Sequence, residues 1–298
     1  MTEKFFIEPL FSNFIASDIL DVDCDKIVEY IKTVEPGLPL NLNEPAIHDV
    51  IDEVHNVRNV EGLSTKAFKK TSQNNEDGIF DYIIQKLDLK KINFVEIGFD
   101  YYENNSINFL KKSNKGLFVD ASYEKVFIFK NITNLFYKNK KIFFKNSLVN
   151  KDNINNIILE YFDSDEEIDI LSLDVDGVDY YIFEKLNFRP KIICIEYNFW
   201  FGSELKCSIP YSENFKWEIG SPYSGASLNA ICSLAFLKDY HLIALESSSV
   251  NAFFVRGDLK HHFKVLDPIK NFKNPIRHSI GKVKKTQIEL LKKNLVFF

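Results

Sequence analysis

Two apolar runs, residues 241–246 (HLIALE) and 252–256 (AFFVR), are separated by only the five residues 247–251. Two parallel strands need a crossover of a dozen or more residues, so these runs must form an antiparallel hairpin. Upstream the spacing is different. Apolar runs at 93–97, 117–120, 141–145, 168–173 and 191–196 are separated from one another, and from the run at 241, by stretches long enough for helices, such as 106–112 and 152–162. Continuous apolar strands alternating with helices specify an α/β fold whose parallel sheet is covered on both faces.

This rhythm divides the chain. Residues 1–65 read as an N-terminal appendage, with apolar residues at helical spacing over 25–34 and breakers at Pro36, Gly37, Pro39 and Pro45. Residues 66–260 carry the sheet. Residues 261–298 read as a helical tail, apolar at Val283, Ile288, Leu291 and Leu295, fit for internal packing or for a homodimer. A net charge of −5 argues against nucleic acid as partner. The four cysteines show no CxxC spacing, which points to a reducing compartment and no structural zinc. There is no signal-peptide pattern and no apolar run near the roughly 20 residues that span a bilayer, so the expectation is a cytoplasmic protein.

Chemistry should lie where these strands end, because open α/β sheets bind ligands at the carboxyl ends of their strands. The first strand ends in Glu96 and Gly98, and a glycine there lets a ligand approach the backbone. The dinucleotide fingerprint G-x-G-x-x-G is absent, and Asp100 and Glu103 stand where a pyrophosphate would sit. Carboxylates repel phosphate and favour a positively charged cofactor such as S-adenosylmethionine (SAM). The second strand ends in Asp120, suited to both hydroxyls of a ribose, and the third is followed by Asn146 and Ser147, suited to an adenine edge. The fourth and fifth strands end in Asp174, Asp176 and Glu196. Carboxylates crowded in this way either raise a pKa, giving a base, or hold a divalent cation such as Mg2+, with Asp176 and Glu196 as its ligands.

Between the fifth and sixth strands lies a long insertion, residues 199–227, containing Trp200, Trp217 and Tyr223. A loop of this length in a compact domain is usually functional. Aromatic rings with polar tips suit a sugar, and Tyr197, Asn198, Trp200 and Tyr223 are the expected acceptor contacts.

In order and spacing, the segments 72–78 (SQNNEDG), 95–98 (VEIG), 117–120 (LFVD), 173–180 (LDVDGVDY), 194–198 (CIEYN) and 250–256 (VNAFFVR) resemble the FkbM-like branch of SAM-dependent methyltransferases. The resemblance covers roughly residues 70–257. It implies a Rossmann-like class I methyltransferase fold with a seven-stranded, mostly parallel sheet, and O-methylation of a carbohydrate-derived small molecule. It also implies that Gln73 and Asp77 border the SAM site, and that Asp174, Asp176 and Glu196 orient or deprotonate the acceptor. The alternatives are an NAD-dependent oxidoreductase, against which the missing glycine fingerprint counts, and a non-catalytic scaffold.

Overall fold

The structure, a computed structural model, describes residues 62–101, 103–137, 140–246, 248–273 and 278–298, together with 5–6, 33 and 40–41. All seven expected strands are present: β1 (Ile92–Ile97), β2 (Ser113–Asp120), β3 (Lys141–Asn146), β4 (Ile170–Leu173), β5 (Ile192–Glu196), β6 (Tyr240–Leu245) and β7 (Asn251–Arg256). Their order across the sheet is β3-β2-β1-β4-β5-β7-β6. β1 to β5 pair in parallel, and β7 is antiparallel to both β5 and β6. This is a Rossmann-like methyltransferase fold.

The hairpin is the expected one, but its second strand is not terminal in space. The crossover from β5 sets β6 down one strand-width away, and the tight turn folds β7 back into the gap. Glu246 clasps that turn, its carboxylate accepting from the backbone N–H groups of Ser248, Val250 and Asn251.

Helices α1 (Glu76–Lys86), α2 (Tyr123–Phe136), α3 (Ile154–Leu159), α4 (Asp179–Lys185) and α5 (Leu228–Leu237) divide between the two faces of the sheet. Ile79, Phe80 and Ile83 of α1 and Ile128, Phe129 and Ile132 of α2 pack on one face, with Phe94 and Phe118. Ile157, Ile182 and Ile231, from α3 to α5, pack on the other, with Val95 and Leu117. Each buried large apolar side chain contributes roughly 1.5–3 kcal/mol. The rings interlock edge-on: Phe80 against Phe253 at 5.0 Å and Phe118 against Phe129 at 4.9 Å between centroids.

The structure refines three local expectations. The connection expected to be helical at 106–112 is a 3-10 helix, Ile107–Lys112. Ser72, the polar residue expected to cap α1, is not at the N-cap position, which Asn75 takes in the left-handed region at φ 70°, but its hydroxyl does accept from Asp77 N in the first turn at 3.2 Å. The tail is not a continuous helix over 282–295. Helix α6 spans Ile280–Leu290, and Val296–Phe297 then pairs antiparallel with Cys207–Ser208 of the insertion. Leu290 packs with Phe201 and Cys207, so this segment is joined to the insertion.

Of the expected appendage, Phe5–Phe6 and Leu40–Asn41 pair in parallel, and Gly62–Lys66 forms a 3-10 turn. The rest of it, with the expected helix over 25–34, lies outside the described residues except for Thr33. Two segments take up hydrogen-bonding groups of β6: Ser64 Oγ accepts from Leu245 N at 3.1 Å, and Leu266 N donates to Leu242 O at 2.8 Å. Among the described residues, no helix is long and apolar enough to cross a membrane.

Candidate active site

A cavity of about 240 Å3 opens at the carboxyl ends of the strands, around β1 and β4. The strand order reverses there, which is where doubly wound sheets leave a crevice. Glu96, Gly98, Asp120, Asp174 and Asp176 all line it, as does Gln73 from the loop before α1.

Gly98 has φ 73°, and a Cβ on it would lie 1.5 Å from Asp174 O. Only glycine fits, because the turn after β1 passes directly against the end of β4. Glu96 is 1% exposed. Its Oε1 accepts from Asn105 N at 2.8 Å, and its Oε2 has no hydrogen-bond partner among the described residues. Burial pushes its carboxyl up to about 7. Asp120 ties the loop after β1 to the end of β2, its carboxylate accepting from Phe99 N at 3.2 Å and Ser122 N at 2.7 Å.

The loop after β4 separates its three acids. Asp179 turns inward, accepting from Val175 N at 2.8 Å and Gly177 N at 3.0 Å. It clasps the loop at the start of α4, and burial raises its carboxyl to about 7. Asp174 and Asp176 stay at the cavity, Asp176 being exposed and in the left-handed region at φ 59°. Asp174, Asp176 and Glu196 each present a carboxylate oxygen within 4.8 Å of the others. Burial, then the neighbouring acids, raises Asp174 and Glu196 well above the usual carboxylate range. The two carboxyls lie against each other, so they do not both ionise readily and the pair holds on to a proton. Glu196 supports Asp174 without itself lining the cavity.

Several expected contacts do other work. Asp77 is buried, and its carboxylate accepts from the N–H groups of Lys70, Thr71 and Ser72 and from the hydroxyls of Thr71 and Ser72. It fastens the loop that carries Gln73 and does not line the cavity. Asn146 donates to the carbonyls of Asp120 and Ala121, and neither it nor Ser147 reaches the lining. Asn198 holds the insertion through Pro222 O and Ser224 O. The Tyr223 hydroxyl donates to Asn294 O at 2.7 Å, and Trp200 packs between Phe199 and His278. Tyr197 is buried beside Phe272. None of these four expected acceptor contacts lines the cavity. Phe99 from the loop after β1 does, as does Trp217, carried over the rim by the insertion. Its neighbour Phe215 lies on Gly177, where a Cβ would meet the ring at 2.2 Å.

Glu76 and Asn251, to which the sequence assigns no site role, also line the cavity and are hydrogen-bonded to each other. Burial raises Glu76, whose Oε2 accepts from Asn74 N at 2.7 Å. No local pattern distinguishes Glu76 from an ordinary acidic residue in the first turn of a helix. Lys125 lines the cavity too, its ammonium 3.0 Å from Asp100.

No protein-family model and no curated protein matches the chain. Among solved structures, it is similar to magnesium protoporphyrin IX methyltransferase from Synechocystis with bound SAM, at 9% identity, covering 82% of this chain and 97% of that one, with a TM-score of 0.42. It is similar to an O-methyltransferase from Bacillus cereus in complex with S-adenosylhomocysteine (SAH), at 13% identity, 81% and 94% coverage and a TM-score of 0.39. It is also similar to the N-terminal domain of EvdMO1 with SAH bound, at 9% identity, 78% and 95% coverage and a TM-score of 0.45. Likenesses this distant add nothing to what the strand order itself shows.

Proposed function

We propose that the chain is a SAM-dependent O-methyltransferase of FkbM-like type, working on a polar, carbohydrate-derived small molecule. The observation that carries this reading is Glu96 Oε2, a buried carboxylate oxygen with no partner in a cavity otherwise lined by acids. A buried carboxylate oxygen left without a partner is expensive, and an ammonium is its natural complement. SAM brings an ammonium and a sulfonium, whereas a dinucleotide brings a pyrophosphate that these carboxylates repel. Gln73, Glu96, Gly98 and Asp120 would hold SAM, which supplies an electrophilic methyl group when bound.

Asp174 serves as the base. It faces the cavity, which Glu196, the carboxyl beside it, does not line. It orients the acceptor hydroxyl and takes its proton, so catalysis rests on positioning plus one proton transfer. Isothermal titration with SAM and with SAH tests the assignment, and absence of binding by either at millimolar concentration would sink it.

A second reading adds a divalent cation. The three clustered oxygens of Asp174, Asp176 and Glu196 are the hard donors that Mg2+ prefers. Bound there, it would lower the pKa of a coordinated acceptor hydroxyl. Turnover that survives a chelator rules this addition out and leaves the first reading standing.

A further inference from the structure

The balance of charge in this cavity bears on the acceptor. Glu76, Glu96, Asp100, Glu103, Asp120, Asp174 and Asp176 line it. Against these stand Lys125, which sits on Asp100 and whose charge also reaches Asp176, and Lys69, which sits on Glu103 at 2.8 Å from outside the lining. No ion pair joins Asp174, Asp176 or Glu196 to a lysine, arginine or histidine among the described residues. Independently of that cluster, the partnerless Glu96 Oε2 marks the same cavity as built around a ligand. SAM has a net charge of only +1 against seven lining carboxyls, of which Glu76, Glu96, Asp174 and Asp176 hold on to protons more readily than ordinary carboxylates do.

A low-dielectric crevice lined by one sign of charge concentrates ligands of the other sign and rejects its own. At the rim, the Trp217 indole N–H is turned onto its own loop, donating to Ser221 O at 2.8 Å. The ring face remains available, and a tryptophan face attracts a cation.

We propose, on the basis of the methyltransferase reading, that the acceptor carries an ammonium group near the hydroxyl to be methylated, as an amino sugar or amino polyol does. Asp176 and the face of Trp217 receive the ammonium, while Asp174 meets the hydroxyl. Phosphorylated and nucleotide-activated sugars are excluded by the same field. The methyl transfer itself is unchanged: the sulfonium C–S bond breaks, a C–O bond forms, and the hydroxyl proton passes to Asp174.

The test uses the full chain with Trp200→Phe, which leaves Trp217 as the sole tryptophan. With SAH at saturation and a chelator present, Trp217 fluorescence is followed on titration with 2-amino-2-deoxyglucose, glucose and glucose 6-phosphate. The expected result is that the amine binds at least about tenfold tighter than glucose, that the phosphate ester does not bind, and that Asp176→Asn erases the preference. Asparagine tolerates the left-handed backbone at this position, so the substitution leaves the loop in place. The proposal is overturned by equal binding of amine and neutral sugar, by tighter binding of the phosphate ester, by no amine binding at tens of millimolar, or by glucose binding that rivals the amine once Mg2+ replaces the chelator. Failure of SAH itself to bind would instead remove the methyltransferase reading underneath.

Discussion

Asn251 Nδ2 donates to Glu76 Oε1 at 2.7 Å, joining the start of β7 to the first turn of α1 across 175 residues of sequence. Both groups are buried, and both line the cavity. Asn251→Ala removes the donor and strands a buried carboxyl, which should destabilise the fold by about 1.5–3 kcal/mol. Urea denaturation checks this: the midpoint should fall at unchanged slope. A midpoint equal to that of the parent would mean the bond contributes nothing to stability.

Asp77 makes a stronger clasp, with three backbone donors and two hydroxyls on one carboxylate. Asp77→Asn places an amide donor against other donors. The expected loss is on the order of 2–4 kcal/mol, because charge-assisted bonds are lost and buried donors are left unpaired. SAH affinity should fall less than in Glu96→Gln, since Asp77 holds the loop and does not touch the ligand. Paired melting and titration measurements of the two variants separate these roles.

Three buried carboxyls, Glu96 and Asp179 at about 7 and Glu246 at about 8, have folded pKa values above those of ordinary carboxylates. Burial is the leading cause for each. The native state therefore retains protons that the unfolded chain has already released. Stability should be greatest on the acid side of neutrality and should fall as pH rises through these values. We expect a lower urea midpoint at about pH 8.5 than at about pH 6, measured without ligand. A midpoint that rises over this interval would contradict the assignment.

Donor binding should be linked to the same proton. If an ammonium pairs with Glu96, it favours the ionised form and expels a proton near pH 7. Calorimetric titration of SAH in two buffers of different ionisation enthalpy should show net proton release, reduced in Glu96→Gln. Proton uptake would exclude the pairing.

Gly177→Ala drives a methyl group into the ring of Phe215, which stands two residues before Trp217 in the insertion. Overpacking of this kind destabilises by about 1–3 kcal/mol. In a Trp200→Phe background, the emission of Trp217 should shift and become more easily quenched by acrylamide. Unchanged quenching would show that Phe215 does not position the rim.

The fold was legible because each strand is a short continuous apolar run bounded by polar residues, and because five residues between β6 and β7 admit only one kind of connection. The position of β7 between β5 and β6 was not, since nothing local in residues 251–256 records which neighbour lies on the far side. At the site, strand ends were readable and side-chain assignments were less so. Glu96, Asp120 and Asp174 are placed by the strands they terminate. Asp77 and Asn198 have the right chemistry for a ligand and apply it to backbone groups, a choice made by loop geometry. Trp200 and Trp217 share one insertion and similar surroundings in sequence. Only the packing of α6 and of the strand at 296–297 decides that Trp200 is held away from the cavity and Trp217 is left at its rim.

The hydrogen bonds that Ser64 and Leu266 make to β6 bear on self-association. An exposed outer strand is a template on which another chain can add its own, and that route ends in aggregates or in continuous intermolecular sheets. Here one border of the sheet is partly occupied by the molecule's own irregular segments. The opposite border, β3, carries Lys141 and Lys145, whose charge discourages an incoming strand. Any pairing of two copies is therefore steered toward helical or loop surfaces and away from extension of the sheet.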